Sequence, residues 1–411
     1  MELIVLAALA LVGFSYLGYF LVLAVWDAAR EAAGMLRFLG GGPDRRAERR
    51  AAPLPRVSVV FSAHDEASCI RQKIENCLAL DYPPERLEIV VACDGCTDGT
   101  AGLARAAGGD RVRVVEIAPR GGKAAAISRL VPEASGDVVV LTDANVMLDS
   151  GALRAVVRRF EDPAVGAVVG RLRLLDPQRK DARESLYWRY ETALKHYEGK
   201  HGCVLGANGG MYAIRRLLFQ PLRPDTIVDD FVIPLRIALR GWKVPYDPGA
   251  VAYEATTEDA AHEFGRRVRI GAGNWQALMR LPELLDPRVG FPCFAFVSHK
   301  LLRWAAPLLL AIALAGTIPL ALQPGWGWRA LLVAQLAFYG LAFLGARDAA
   351  GPLGAPAALA HYFVGMNASL AAGFWRFVRG TQAAAWQRTA RGPDVATPPG
   401  VGTPSAPSAP A

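Results

Sequence analysis

Cysteine is scarce and scattered: Cys69, Cys77, Cys93, Cys96, Cys203 and Cys293 are all that 411 residues hold. Six such positions make no disulfide framework and fit reduced thiols in a cytoplasmic compartment. Cys93 and Cys96 form a C-x-x-C around the turn pair Asp94-Gly95, but no second C-x-x-C and no H-x-x-x-H accompanies it, which argues against zinc or redox chemistry there. Basic motifs interleaved with aromatics are also missing. The net charge of +8 is therefore assigned to Lys and Arg gathered near a bilayer, and no nucleic acid is expected as a partner. Charge itself is absent from residues 3–26, 304–328 and 330–346, and from 349–375 apart from His361. Such runs exclude a wholly soluble chain, in keeping with a mean hydropathy of +0.21.

Residues 3–26 are long enough to span a bilayer and are followed by Arg30, Arg37, Arg45, Arg46, Arg49 and Arg50. This predicts an anchor over 1–27, its C-terminal side in the cytoplasm, and a basic linker over 28–54. A cleaved signal peptide would carry positive charge ahead of its apolar core, where this chain has only Glu2. A globular domain is expected over 55–282, an interfacial amphipathic segment over 283–303, and a membrane region of two to three spans over 304–375. The Pro/Ser/Ala/Gly-rich tail, 376–411, has no periodicity and reads as disordered. The whole describes a multi-pass protein of the cell membrane with its globular domain cytoplasmic. Arg376, Arg379, Arg388 and Arg391 belong inside by the same charge rule, so 349–375 is expected to be re-entrant or interfacial.

Between the apolar ends, strand-like runs alternate with helical patterns: Val57–Phe61, Leu87–Ala92, Val112–Glu116 and Val138–Leu141. Four strands joined by helical crossovers imply an α/β fold with a parallel, doubly wound sheet. Ligands of such sheets sit beyond the carboxyl ends of the strands, where Asp143 and Asn145 stand. The bland alternative is a turn, with Asp149-Ser150 capping the next helix. From 147 to 280 the pattern is less regular. An amphipathic stretch near 182–199, the loop Gly206-Ala-Asn-Gly-Gly210, the pair Asp229-Asp230 and a basic helix from Glu263 to Met279 suggest an acceptor side.

Asp94-Gly-Cys-Thr-Asp-Gly-Thr100 follows a strand and opens a helix; its glycines permit a tight turn and its carboxylates can accept from a ribose or a base. With it, the chain over about 55–280 resembles glycosyltransferase family 2, on the branch of the cellulose, poly-N-acetylglucosamine and hyaluronan synthases. The resemblance implies a GT-A fold, Rossmann-like with a mostly parallel sheet, flanked here by transmembrane helices. It places His64 and Glu66 in the opening corner, and Asp94 and Asp98, with Thr97, in the D-G-S-T-D-G-T loop that holds uridine. It matches Lys123 to the G-K-A turn, Asp143 and Asn145 to the D-x-D that binds a divalent metal (Mg²⁺ or Mn²⁺) and the donor diphosphate, and Asp230 to the catalytic base. Asn208 and Gly209 fall near the acceptor, although Asn208 also suits a plain turn.

Two positions depart from the family. Asn145 replaces the second Asp, and an amide oxygen is a weaker partner for a hard cation than a carboxylate. In the Q-x-x-R-W motif, Arg269 keeps the arginine that helps hold the donor, while Arg266 and Ile270 replace Gln and Trp. Trp275 is the acceptor-side aromatic in reserve, but on a straight helix it points roughly 140° away from Ile270. The expectation is a membrane-bound inverting transferase taking sugar from a nucleotide-sugar, a UDP-sugar by the resemblance, to a saccharide or lipid-linked acceptor. Its rivals are single-sugar transfer to a polyprenyl phosphate and a catalytically silent nucleotide-binding scaffold.

Overall fold

The computed structural model describes residues 1–39, 53–175, 186–255, 260–347 and 351–383. Arg45 to Arg50, the start of the 182–199 stretch and the tail beyond 383 lie outside them. The described residues divide into two compact units, a helical one from the two ends of the chain, 1–39 and 260–383, and a sheet unit between them, 53–255.

The helical unit begins with α1 (Glu2–Gly13), which runs through a π-helical turn, Phe14–Gly18, into α2 (Tyr19–Leu39). The sheet unit follows as β1 (Val57–Ala63), α3 (Ile70–Leu78), β2 (Leu87–Asp94), α4 (Thr100–Gly108), β3 (Val112–Ile117), α5 (Lys123–Glu133), β4 (Val138–Thr142), β5 (Met147–Leu148), α6 (Ala152–Arg159), β6 (Ala167–Leu175), α7 (Leu186–Lys200), β7 (Met211–Arg215), α8 (Asp229–Leu239) and β8 (Tyr246–Ala255). The strands form one eight-stranded sheet ordered β3-β2-β1-β4-β7-β6-β8-β5.

β3, β2, β1 and β4 are parallel, as the strand–helix alternation implies. Every residue of β4 is buried, which explains its unbroken Val/Leu run. The other half is mixed: β7 runs antiparallel to β4 and β6, β8 is parallel to β6, and β5 is antiparallel to β8. The order reverses between β1 and β4, because the chain builds outward to β3 and then returns to the other side of β1. That reversal opens a crevice at the carboxyl ends of β1 and β4.

The helical unit resumes with α9 (Ala260–Arg280), α10 (Phe291–Ala295), a second π-helical turn at Phe296–Leu301, α11 (Leu302–Ala321), α12 (Gly327–Gly345) and α13 (Gly354–Val378). Among the described residues, three helices are long and apolar enough to cross a membrane: Glu2–Leu36, Phe291–Ala321 and Gly327–Gly345. The second of them starts inside the 283–303 segment. Although α9 falls within the 55–282 range read from the sequence, it packs on α13 in the helical unit. Gly373 makes that contact close, since a Cβ there would lie 2.7 Å from the Val268 carbonyl oxygen. Arg267 stacks its guanidinium over Tyr362, 4.9 Å from the ring centroid.

Candidate active site

The polar corners at the tips of β1 and β2 are wired to one another. His64 Nδ1 lies 2.7 Å from the carbonyl oxygen of Asp94, which can only accept, so the ring donates there. Asp94, 3% exposed, takes one backbone N–H on each carboxylate oxygen, from Gly121 and Gly122 at 2.7 Å each. It thereby pins the turn that opens α5, where Gly122 adopts φ +86. Asp98 accepts from the N–H groups of Ala67 and Thr100, both at 3.0 Å, and Glu66, itself buried, donates its own N–H to Thr100 Oγ1 at 2.9 Å. Asp65, which sequence reasoning passed over, sits at φ +53 and accepts the Thr97 N–H at 2.7 Å.

Across the crevice, carboxylates crowd together. Lys123 Nζ lies 2.8 Å from Asp143 Oδ1 and 3.2 Å from Asp229 Oδ2. Burial works against its charge, but Asp143, Asp229 and Asp230 outweigh that and raise its pKa. Asp230 is pushed up to about 6, by burial first and then by Asp229, against the pull of Lys123. Gly209 reaches between them: at φ +70, a Cβ on it would lie 3.0 Å from Asp143 Oδ2 and 3.8 Å from Asp230 Oδ2. Its neighbour Asn208 is exposed and also left-handed at φ +60, and the loop is tied down where Ala207 N–H donates to the Asp230 carbonyl at 3.1 Å. Tyr212 O–H donates to Asp229 Oδ2 at 3.4 Å, a contact with no sequence signal.

Asn145 donates its amide N–H to Glu254 Oε1 at 3.2 Å, which leaves its oxygen as the ligating atom. Asp143 and Asn145 thus offer hard oxygen donors of the kind Mg²⁺ and Mn²⁺ take. Among the described residues no cluster of three or more His, Cys, Asp or Glu stands ready to hold a metal unaided. The donor set fits an ion that brings phosphate oxygens with it. Arg269 and Trp275 lie on α9, in the helical unit. α9 is continuous through both, and the Trp275 ring packs against Phe374 and Trp304, centroids 5.0 and 6.0 Å away.

Comparison with known proteins bears on the family and the fold. The chain is 25% identical over 307 residues to the probable glycosyltransferase YdaM of Bacillus subtilis, covering 70% of this chain and 72% of that protein. It is 25% identical over 239 residues to the poly-β-1,6-N-acetyl-D-glucosamine synthase of Staphylococcus aureus, covering 54% of this chain and 56% of the synthase. The chain thus spans little more than half of that synthase. Its fold is similar to that of the mannosyltransferase PcManGT from Pyrobaculum calidifontis, solved in complex with GDP-Man and Mn²⁺, at a TM-score of 0.65 and 24% identity over 91% of this chain and 99% of the other. The family model described as "Glycosyltransferase like family 2" matches residues 55–273, more than half of the chain and the whole of its sheet, and the chain belongs to that family.

Proposed function

We propose that the protein is a membrane-bound inverting glycosyltransferase that moves a sugar from a nucleoside diphosphate to a saccharide or lipid-linked acceptor. The convergence of Asp143, Asp229 and Asp230 on Lys123, with Gly209 reaching between them, supports this reading more than any other observation. On this reading Asp230 takes the proton of the acceptor hydroxyl as that oxygen bonds to the sugar's anomeric carbon and the bond to the diphosphate breaks. One displacement inverts the anomeric centre. A base at about 6 is ionised at neutral pH and still basic enough to accept a proton as attack begins. A divalent ion held by Asp143 and Asn145 would neutralise charge on the departing diphosphate. Lys123 supplies a second cation there, and Arg269 is assigned the same task by its place in the family motif. His64, Glu66, Asp94 and Asp98 shape the nucleoside's side of the crevice, and Asn208 and Gly209 the acceptor's.

The three long apolar helices support a multi-pass protein of the cell membrane. With α13 interfacial, both the sheet unit and the tail lie in the cytoplasm. Short products or single additions are proposed rather than long polymers: Ile270 offers no flat face for a sugar ring, and the Trp275 ring is engaged with Phe374 and Trp304. The test is to incubate the full-length protein with UDP- and GDP-sugars and with saccharide or lipid-phosphate acceptors. Nucleoside diphosphate release that stops in excess chelator and returns with Mn²⁺ or Mg²⁺ is expected. No release from any donor would overturn the transferase reading, and undiminished release in chelator would remove the metal from it.

A further inference from the structure

Lys73 is 0% exposed and stands on the apolar face of α3, flanked by Ile70, Ile74 and Cys77. Its ammonium donates to the Val146 carbonyl and to Thr142 Oγ1, the latter at 3.4 Å, and lies 5.4 Å from the Phe61 ring centroid. Among the described residues no carboxylate forms an ion pair with it. A buried ammonium without such a partner is costly, and an apolar side chain of the same length would fill the space without that penalty. Packing alone does not account for it.

Its two partners do. Thr142 and Val146 immediately flank Asp143-Ala-Asn145, so one ammonium grips both shoulders of the turn that presents the proposed metal ligands. Thr142 Oγ1 passes the link on by donating to the Gly210 carbonyl at 2.7 Å, at the end of the loop whose Gly209 faces Asp143. Further along the same helix, Asn76 makes a paired contact with Leu148, donating to its carbonyl at 2.9 Å and accepting its N–H at 2.8 Å. α3 therefore holds the chain at 142, 146 and 148, on either side of the D-x-N.

We propose that Lys73 is a positioning residue for donor binding: from beneath the sheet's carboxyl edge it sets the Asp143-Ala-Asn145 turn and, through Thr142, the glycine loop, in mutual register. The inference rests on the glycosyl-transfer reading for its purpose but not for its geometry. Lys73→Met keeps the length and apolar stem and removes the donors. Ile74→Ala, a fully buried neighbour on the same helix, serves as the control for general destabilisation.

Two measurements on the full-length protein in detergent decide it. In backbone hydrogen exchange, Lys73→Met should speed exchange at least about tenfold over residues 143–148 and 206–210 while β1 and β2 keep parental rates. In calorimetry, UDP with Mn²⁺ should bind about tenfold more weakly and uridine alone within about twofold of the parent, a split that loss of stability would not produce. Ile74→Ala should lower the melting temperature without either selective effect. If Lys73→Met does not fold, Thr142→Val should loosen 206–210 alone. Exchange unchanged at 143–148 and 206–210, or the same pattern in Lys73→Met as in Ile74→Ala, would overturn the proposal. A parent that binds no UDP with Mn²⁺ would count against the glycosyl-transfer reading, and the exchange pattern, which needs no ligand, would still decide the role of Lys73.

Discussion

At the tip of β2, Asp94 gives each carboxylate oxygen a backbone N–H of its own, whereas across the crevice Asp143, Asp229 and Asp230 crowd together around the ammonium of Lys123. Backbone dipoles hold a charge without competing for it, so the first arrangement fixes a shape. Burial, and after it the like charge of Asp229, raise the affinity of Asp230 for a proton, so the second stores basicity there. On the proposed reading, the contrast separates the side of the crevice that recognises the donor from the side that reacts with it.

The largest effect should come from the crowded side. Asp230→Asn keeps the shape and removes proton acceptance, and transfer should fall by ~10²–10⁴-fold, with nucleotide affinity within a few-fold of the parent. In the parent, log kcat should fall with unit slope as the pH drops below about 6, because the base is then protonated. Stability should run the other way. The folded carboxyl holds its proton to about 6 against an ordinary value of 3.8, so the contribution is complete below 3.8 and is lost as the pH rises through about 6. A melting series from pH 4 to 8 should show that slope in the parent and not in Asp230→Asn. A rate independent of pH between 5 and 8 in the parent would place the base elsewhere.

Gly209 joins the two sides. Its φ of +70 disfavours any side chain, and a methyl would press on Asp143 Oδ2 at 3.0 Å. Gly209→Ala should lower kcat by roughly 10–10²-fold through displacement of Asp143, with a smaller change in donor KM. Asp94→Asn probes the recognition side: it loses the charge and replaces one acceptor by a donor facing an N–H, at a cost of about 1.5–3 kcal/mol. Donor KM should rise roughly 10–10²-fold while kcat at saturating donor changes little, each 1.4 kcal/mol being worth about a factor of ten. A kcat loss in Asp94→Asn matching that of Asp230→Asn would erase the distinction between the two sides.

The same contrast marks what was legible in the sequence. The strands β1 to β4 were, because each is a Val-rich run followed by a helical pattern, and parallel strands with crossovers follow from that alternation. The mixed half was not. β7 enters antiparallel between β4 and β6, and β6 slips register between Gly170 and Arg171, pairings set by residues far apart in the chain. Asp94, Asp143 and Asp230 could be singled out from local motifs, yet Asp94's engagement with the α5 turn and Asn145's with Glu254, 109 residues away, exist only in the fold. Lys73 was visible only as a breach of the i, i+3, i+4 apolar pattern of α3. α9 read as part of the globular domain because its close contact with α13 depends on two glycines, Gly271 and Gly373, that carry no periodic signal.

The smallest effect should come from the C-x-x-C on the recognition side, and its smallness is informative. Cys93 is 2% exposed, and burial with Cys96 beside it pushes its thiol up to about 12. Burial likewise raises Cys96, whose Sγ lies 3.4 Å from the Ala63 carbonyl. Neither thiol is then a thiolate at neutral pH, so neither is a ready nucleophile or metal ligand. Their role is to pack the tip of β2 against that of β1, where Ala63 and Cys93 are paired in register. A serine at 96 can donate to the same carbonyl, so Cys96→Ser should leave kcat and donor KM within about twofold of the parent and shift stability by no more than about 1 kcal/mol. Activity should be equally indifferent to a reductant. A large loss of transfer in Cys96→Ser, or activation by dithiothreitol, would show that the recognition side carries chemistry of its own and would break the division between the two sides of the crevice.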